Sequence, residues 1–312
     1  MTARFHDAGH ILGSAMITLD LREKSARRSV LLSGDIGQWE KPIVHDPSVF
    51  AAADYVVMES TYADRDHEDS GPIEDLLAGI LADTSLRGGN VIIPVFALER
   101  AQELLYYIGR LVRDGRVRRV PVFLDSPMAI EATEVFVRYP ALLDPEAREF
   151  LLAPGSKPFD FPGLRFCRTV EESKAINVYK GPCVILAGSG MCNAGRIKHH
   201  LVRNIDRPEC VVLFVGYQAA GTLGRQILDG QKQVRIHGLT LEVRARIAQI
   251  HGFSGHAGRS GLLRWLDGFG KPPRRLFLTH GEEAAALKLA EELREKGWAV
   301  DVPKYLDSYA LR

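Results

Sequence analysis

Short runs of apolar residues open the chain and indicate β-strands. They cover residues 15–19, 29–33 and 55–58, and polar or glycine-containing segments separate them. Runs of this length with β-branched and aliphatic residues are typical of strands that are buried on at least one face. The first part of the chain is therefore predicted to be rich in strands.

From about residue 72 the pattern changes to an alternation of helices and strands. Amphipathic stretches predict helices, and four- or five-residue apolar runs between them predict strands. The predicted helices cover 72–82, 99–113, 195–201, 258–266 and 282–296, with others after Pro127 and from Thr222, and the predicted strands cover 91–94, 121–124, 183–186, 210–215, 241–250 and 276–279, with one around Val234. The stretch 140–163 is predicted to be a short helix followed by an irregular loop. Repeated strand–helix units favour a parallel α/β domain.

Composition sets broad limits on function. The 312 residues, of which 46% are hydrophobic, are enough for about two domains with large cores. Forty basic and 39 acidic residues give a net charge of +1, so the chain has no overall affinity for polyanions. Nucleic acid would have to bind at local patches. The basic run Arg110, Arg113, Arg116, Arg118 and Arg119 is more simply interpreted as a solvated helix end.

The cysteines and the chain start bear on the cellular compartment. Cys167, Cys183, Cys192 and Cys210 form no C-x-x-C pair, which argues against a disulfide framework and a cysteine zinc site. No apolar run approaches the roughly 18 residues of a membrane span, and MTARFHDAGH lacks the pattern of a signal peptide. We expect a cytoplasmic protein that is not bound to a membrane. A strand begins almost at once, so we also expect Met1 to be an internal methionine.

Five polar residues follow or end predicted strands. Each alone is most simply a cap or a turn residue, but together they are the imidazoles and carboxylates that a divalent ion such as zinc selects. They are His10 in DAGHILGSA, Asp35 in LLSGDIG, Glu59 in VVMESTY, His256 in HGFSGHAG and His280 in LFLTHGE.

The motifs around these residues resemble a known family in identity and in order. The set DAGHILGSA, SGDIG, ESTY, SGM-x4-GR-x3-H, GYQ-x2-GTLG, FSGHA and LTHGE is similar to that of the β-CASP nucleases, over essentially the whole chain. The resemblance implies an α/β protein: a metallo-β-lactamase αββα sandwich, incomplete at its N-terminal side, with an inserted α/β β-CASP domain. Residues 1–65 and 252–312 would belong to the metallo-β-lactamase domain, and residues 66–251 would be the insertion.

The resemblance also implies roles for the five residues. His10, Asp35 and His280 would bind two zinc ions, with Asp35 bridging them. Glu59 and His256 would form a carboxylate–imidazole pair beside the metals, in which His256 protonates the leaving oxygen. The reaction would be two-metal hydrolysis of RNA phosphodiester bonds. The partner would be single-stranded RNA, and a homodimer is left open.

The family's H-x-H-x-D-H motif is absent from the sequence. Two segments imitate parts of it: His6 with His10 in HDAGH, and Asp64-Arg65-Asp66-His67. We do not expect the second to bind metal, because relatives carry a similar run after the ESTY motif. On this reading the chain is a fragment with part of the metal site, and alone it should show little nuclease activity.

Other polar residues are candidates for phosphate contact. Ser189, Gly190 and Arg196 lie in a glycine-rich turn that leads into a helix, where backbone N–H groups can bind an anion. The simpler interpretation is a tight α/β turn, and the spacing does not match a dinucleotide fingerprint. Ser126 in LDSPMA and Ser254 in FSGHA are further hydroxyl candidates.

Three functions remain open at this point. The first is an endoribonuclease, with 5′-exonuclease activity also possible for the family. The second is a DNA-processing relative, which usually has valine at the position of His280. The third is a non-catalytic scaffold subunit, which usually lacks several of the motif residues that are intact here.

Overall fold

The computed structural model describes residues 1–23, 26–68, 71–151 and 159–311. The chain divides into two compact units. Unit 1 comprises Met1–His67, Leu142–Asp144 and Ser254–Arg312, and unit 2 comprises Glu68–Ala141 and Pro145–Phe253. No helix within the described ranges is long and apolar enough to cross a membrane.

The secondary structure of the described residues follows the alternation in the sequence. The strands are β1 (Thr2–Asp7), β2 (Ala15–Glu23), β3 (Ala26–Leu32), β4 (Tyr55–Glu59), β5 (Val91–Pro94), β6 (Val122–Asp125), β7 (Leu164–Phe166), β8 (Val184–Ala187), β9 (Val211–Phe214), β10 (Gln233–Ile236), β11 (Leu239–Glu242), β12 (Arg246–Gln249), β13 (Arg275–Thr279) and β14 (Val300–Asp301). The α-helices are α1 (Ile73–Leu86), α2 (Arg100–Arg113), α3 (Pro127–Arg138), α4 (Pro145–Leu151), α5 (Val170–Ile176), α6 (Ile197–Asn204), α7 (Leu223–Leu228), α8 (Arg259–Asp267) and α9 (Glu283–Glu295), and Pro140–Leu142 is a 3₁₀ turn.

Unit 1 is built on a mixed six-stranded sheet with the order β1-β2-β3-β4-β13-β14. The first three strands are antiparallel, and β4, β13 and β14 run parallel to β3. Because successive strand residues point to opposite faces, each strand supplies two sets of side chains. One set packs with residues of α8 and α9 into the main core, which includes Met16, Leu31, Met58, Trp265, Leu278 and Leu289.

The opposite face of this sheet carries a smaller apolar cluster. Val30, Tyr55 and Phe277 are buried there, and partly buried side chains pack around them, namely Leu19, Leu21, Leu32, Val57 and Tyr309. Alternate strand positions thus make both faces apolar. A sheet with two apolar faces is typical of a protein built in packed layers, as the sequence predicts for this part of the chain.

Unit 2 contains a fully parallel sheet with the order β12-β9-β5-β8-β6-β7, and β10 and β11 form a separate hairpin. Strands β5, β6, β8 and β9 are buried at every position, as expected for a parallel sheet covered on both faces. The prediction of an α/β fold is confirmed.

Some elements differ from the prediction. The strand predicted over 241–250 is two strands, because β11 pairs with β10 whereas β12 joins the parallel sheet beside β9. The sequence analysis missed β7 and α5, which are short elements with weak periodicity. The predicted loop after α4 includes residues 152–158, which lie outside the described residues.

A buried charge network lies at the end of β6 in unit 2. Asp125 is fully buried, and its carboxylate accepts hydrogen bonds from Arg196 Nη1 (2.7 Å), Ser173 Oγ (2.6 Å) and His200 Nε2 (2.6 Å). Burial alone would raise the pKa of Asp125, but these donors outweigh it and hold the pKa below its ordinary value. The network therefore ties β6 to α5 and α6.

Replacing Asp125 tests this network. Asp125→Ala leaves the buried His200 and the partly buried guanidinium of Arg196 without their carboxylate. It should lower the free energy of unfolding by about 3–5 kcal/mol at neutral pH. Urea unfolding followed by circular dichroism measures the change. Asp229→Ala, which removes an exposed i,i+4 pair with Arg225, is the matched control and should change the free energy of unfolding far less than Asp125→Ala.

The effect should also depend on pH in a defined direction. The pKa of Asp125 is lower in the folded than in the unfolded chain, so its stabilising contribution is complete above the ordinary value of 3.8. That contribution is lost as the pH falls below this value through the folded pKa. The gap between wild type and Asp125→Ala should therefore narrow in acid, and a constant gap would contradict the network's electrostatic role.

Candidate active site

Three loops of unit 1 meet at one edge of its sheet. The loop after β3 lies between the loop after β1 and the segment that precedes α8. Its backbone forms hydrogen bonds to both, from Gly37 N to Ala8 O (2.7 Å) and from Ala257 N to Ile36 O (2.8 Å). A Cβ atom at Gly37 would lie 1.9 Å from the carbonyl oxygen of Gly9, so this close approach requires glycine.

Glu59 ends β4 beside these loops and is only 2% exposed. Its carboxylate accepts a short hydrogen bond from the backbone N–H of Ile36. His256 Nδ1 lies 3.0 and 3.1 Å from the two carboxylate oxygens and donates to them. In the neutral ring this bond places the proton on Nδ1, so Nε2 keeps the lone pair.

Asp35 lies between two histidines. One carboxylate oxygen is 3.1 Å from His280 Nδ1, and the other is 3.8 Å from His10 Nε2. The ring of His256 lies 4.3 Å from that of His10 and 5.7 Å from that of His280, measured between centroids. The structure thus brings together all five residues that the sequence singled out.

The five residues form two overlapping groups that could each hold a metal ion. His10, Asp35 and His256 form one, and Glu59, His256 and His280 form the other. Within each group one potential ligand atom from every residue lies within 4.8 Å of the others. Two imidazoles and a carboxylate at this spacing are a donor set that suits zinc.

His10 has the environment of a metal ligand. Its loop is fixed by Ser14 Oγ, which accepts from the backbone N–H groups of His10 and Ile11 at 3.2 Å each. Burial, and then the neighbouring His256, lower the pKa of His10, which favours the neutral ring. A neutral imidazole is the form that binds a metal ion.

His280 is positioned by the ESTY motif. Its backbone is left-handed (φ +49°), and its carbonyl accepts from Thr61 Oγ1 (2.9 Å) and Ser60 N (3.3 Å). A Cβ atom at Gly281 would lie 2.4 Å from Ser60 O, so the residue after His280 must be glycine. The sequence analysis did not assign Ser60 and Thr61 a role, although they are the two residues that follow Glu59.

The two imitations of the missing motif have structural partners. His6 Nε2 lies 3.0 Å from Thr18 Oγ1 on the neighbouring strand. Asp66 accepts from the backbone and hydroxyl of Ser260 and so caps α8, at 2.8 and 2.7 Å. His67 Nε2 donates to the carbonyl of His256 (2.8 Å) and thereby supports the loop that carries it.

The phosphate candidates lie in ordered turns. Ser189 Oγ bonds to the backbone of Ala194 (3.2 Å), Gly190 O accepts from Gln218, and Ser126 caps α3 through Ala129 N. Arg196 is engaged with Asp125 and with the carbonyls of Cys167 and Arg168. Ser254 bonds through its carbonyl to Gln38. Phosphate contact by these residues stays a prediction.

Two of the five arginines in the basic run of unit 2 are paired with carboxylates. Arg110 pairs with Glu74 and Glu146, and Arg116 pairs with Glu74 and Asp75. Arg113 donates to the carbonyls of Phe150 and Asp160. These partners agree with the interpretation of a solvated helix end.

Two parts of the chain match known protein families. Residues 101–227 match the Beta-Casp domain, and residues 240–303 match the Zn-dependent metallo-hydrolase RNA specificity domain. The second match includes His256 and His280. The first match is the family that the motifs indicate.

Similar proteins occur in bacteria and archaea. The chain is 39% identical to a ribonuclease of Thermus thermophilus, over 98% of this chain and 68% of the relative. It is 33% identical to the transcription termination factor FttA of Methanosarcina mazei, over 94% of this chain and 47% of the relative. It is 32% identical to an RNase J-like protein of Methanocaldococcus jannaschii, over 92% and 65%. The chain thus spans about half the length of the termination factor and about two thirds of the other two.

The motifs, the fold and these similarities agree. The chain belongs to the β-CASP family of metallo-β-lactamase-fold RNA nucleases.

Proposed function

We propose that the five residues of unit 1 form part of a zinc-dependent centre that hydrolyses RNA phosphodiester bonds. The observation that carries this proposal is convergence. Five separate loops and strand ends each contribute one residue, and each residue lies within ion-pair or ring-contact distance of at least one other, namely His10, Asp35, Glu59, His256 and His280. Imidazoles and carboxylates that pack together lose contact with water, which costs free energy. A bound cation offsets that cost.

His10, Asp35 and His280 are the proposed zinc ligands, with Asp35 shared between two ions. The two oxygens of Asp35 each face a different histidine, which suits a bridging carboxylate. When bound, zinc supplies an activated water at neutral pH and offsets the charge that develops on the phosphoryl oxygens.

His256 is the proposed general acid. Glu59 accepts from Nδ1 and so fixes the orientation of the ring. The general acid would be the doubly protonated ring, which gives the proton on Nε2 to the leaving oxygen and returns to the neutral form with its proton on Nδ1. Glu59 is a positioning residue in this scheme.

Single-stranded RNA is the proposed substrate. The match of residues 240–303 to an RNA specificity domain and the ribonuclease among the relatives support RNA over DNA, as does a histidine at position 280. The intact motif residues favour an enzyme over a scaffold subunit. We further predict endonuclease action, 5′-exonuclease action, a homodimer and a cytoplasmic location.

Removing His280 tests the metal assignment. His280→Ala should reduce the zinc retained after dialysis, because one of three proposed ligands is lost. Elemental analysis of the full-length protein measures this. His199→Ala, an exposed histidine of unit 2, is the control and should leave the zinc content unchanged. Full retention of zinc by His280→Ala would reject His280 as a ligand.

Removing His256 separates proton transfer from metal binding. His256→Ala in the full-length protein should slow RNA cleavage roughly 10²–10⁴-fold, as expected for a general acid, while the zinc content stays nearly constant. Cleavage of a labelled single-stranded RNA and elemental analysis give the two readouts. A parallel loss of zinc would instead make His256 a ligand.

A further inference from the structure

An aromatic ring is exposed at the carboxyl edge of the parallel sheet in unit 2. Phe96 follows β5, whose residues are all buried, and Val95 just before it is buried as well. Phe96 itself is 41% exposed. Strand β5 lies between β8 and β9, so Phe96 is near the middle of this edge. Ligands of open parallel sheets bind outside the carboxyl ends of the strands.

Two glycines on the neighbouring loops lie against this ring, and one of them, Gly190, makes room for it. Gly190 follows β8, and a Cβ atom there would lie 2.7 Å from ring carbons of Phe96. Gly216 follows β9, and a Cβ atom there would approach the ring to 3.6 Å. One side of the ring therefore lies against the backbone of two loops. A side chain at position 190 would displace it.

A buried glutamine fixes both glycines. Gln218 Nε2 donates to the carbonyl of Gly190 (2.9 Å) and to that of Gly216 (3.2 Å). Gln218 is itself held in a tight space, because a Cβ atom at Gly224 would lie 1.8 Å from its Oε1. The glycine-rich turn and the GYQ-x2-GTLG motif thus combine to support one aromatic ring.

We propose that Phe96 is a stacking platform for an unpaired base of the RNA substrate. A ring that is held rigidly on one side and open on the other contributes little to the core but offers a flat apolar surface. Nucleobases stack on such surfaces, and only unpaired bases have a free face to offer. Tyr217, next to Gly216 and 65% exposed, adds a second ring at the same edge. The identity of the ligand rests on the proposed function; the platform itself does not.

The stacking predicts a loss of affinity that depends on the base. We would measure fluorescence anisotropy of a labelled single-stranded oligoadenylate in EDTA, so that binding is observed without cleavage. Phe96→Ala should weaken binding roughly 5- to 150-fold, the range of base–aromatic stacking. Phe96→Tyr keeps a ring and should bind like the wild type. An oligonucleotide of the same length without bases should bind Phe96→Ala and wild type equally.

Controls make the outcome decisive. Tyr179→Ala removes an aromatic side chain of similar exposure that precedes β8, and it should not change the affinity. Equal affinity of Phe96→Ala and wild type for oligoadenylate would overturn the proposal. So would an equal loss with the base-free strand, since Phe96 would then support the loops and not a base. Cleavage is assayed separately with zinc, so a wild type that fails to cleave but shows the base-dependent loss would reject only the proposed catalysis.

Discussion

Glu59 places a carboxylate in the interior of unit 1, where it needs hydrogen-bond donors to offset the loss of water. One donor is the backbone N–H of Ile36, and the other is the ring of His256. Because Asp35 directly precedes Ile36, a single buried group fixes both the loop of the proposed bridging ligand and the proposed general acid. His280 is fixed to the same strand end through Ser60 and Thr61. Substitution of Glu59 would therefore disturb the whole cluster.

The sequence pattern was sufficient to predict that Glu59 and His280 converge, because parallel strands end at the same edge of a sheet. It does not explain the position of His256, since β12, the strand before it, belongs to the sheet of unit 2. Strands β4 and β13 pair in parallel with Glu59 opposite Thr279, which places His280 beside Glu59. The supporting contacts had no local signal. Asp66 caps α8, and His67 supports the loop of His256. Both contacts join residues almost two hundred positions apart in the sequence, so only the tertiary structure shows the partners of the segment Asp64-Arg65-Asp66-His67. The division of 241–250 into β11 and β12 likewise depends on which sheet each half joins.

Glycine positions in unit 2 show how one motif can have two physical explanations. A glycine-rich turn before a helix can expose N–H groups to an anion, and it can also permit close packing of backbone and side chain. At Gly190 the structure provides direct evidence for the second, since the ring of Phe96 occupies the space of a side chain. Arg196, a cation in the same motif, is directed to the buried Asp125. The motif therefore has a structural role that does not depend on any phosphate.

His256 belongs to both groups of potential ligands, and its hydrogen bond to Glu59 decides which role suits it better. With Nδ1 bonded to Glu59, either role would fall to Nε2, and that nitrogen cannot bind a metal ion and transfer a proton at the same time. His10 differs, because its Nε2 faces Asp35 and burial lowers the pKa of its ring, which favours the neutral form that binds a metal ion. Asp35 offers one oxygen to each side. The proposed roles, with His10, Asp35 and His280 as ligands and His256 as the proton donor, therefore give no ring nitrogen two tasks.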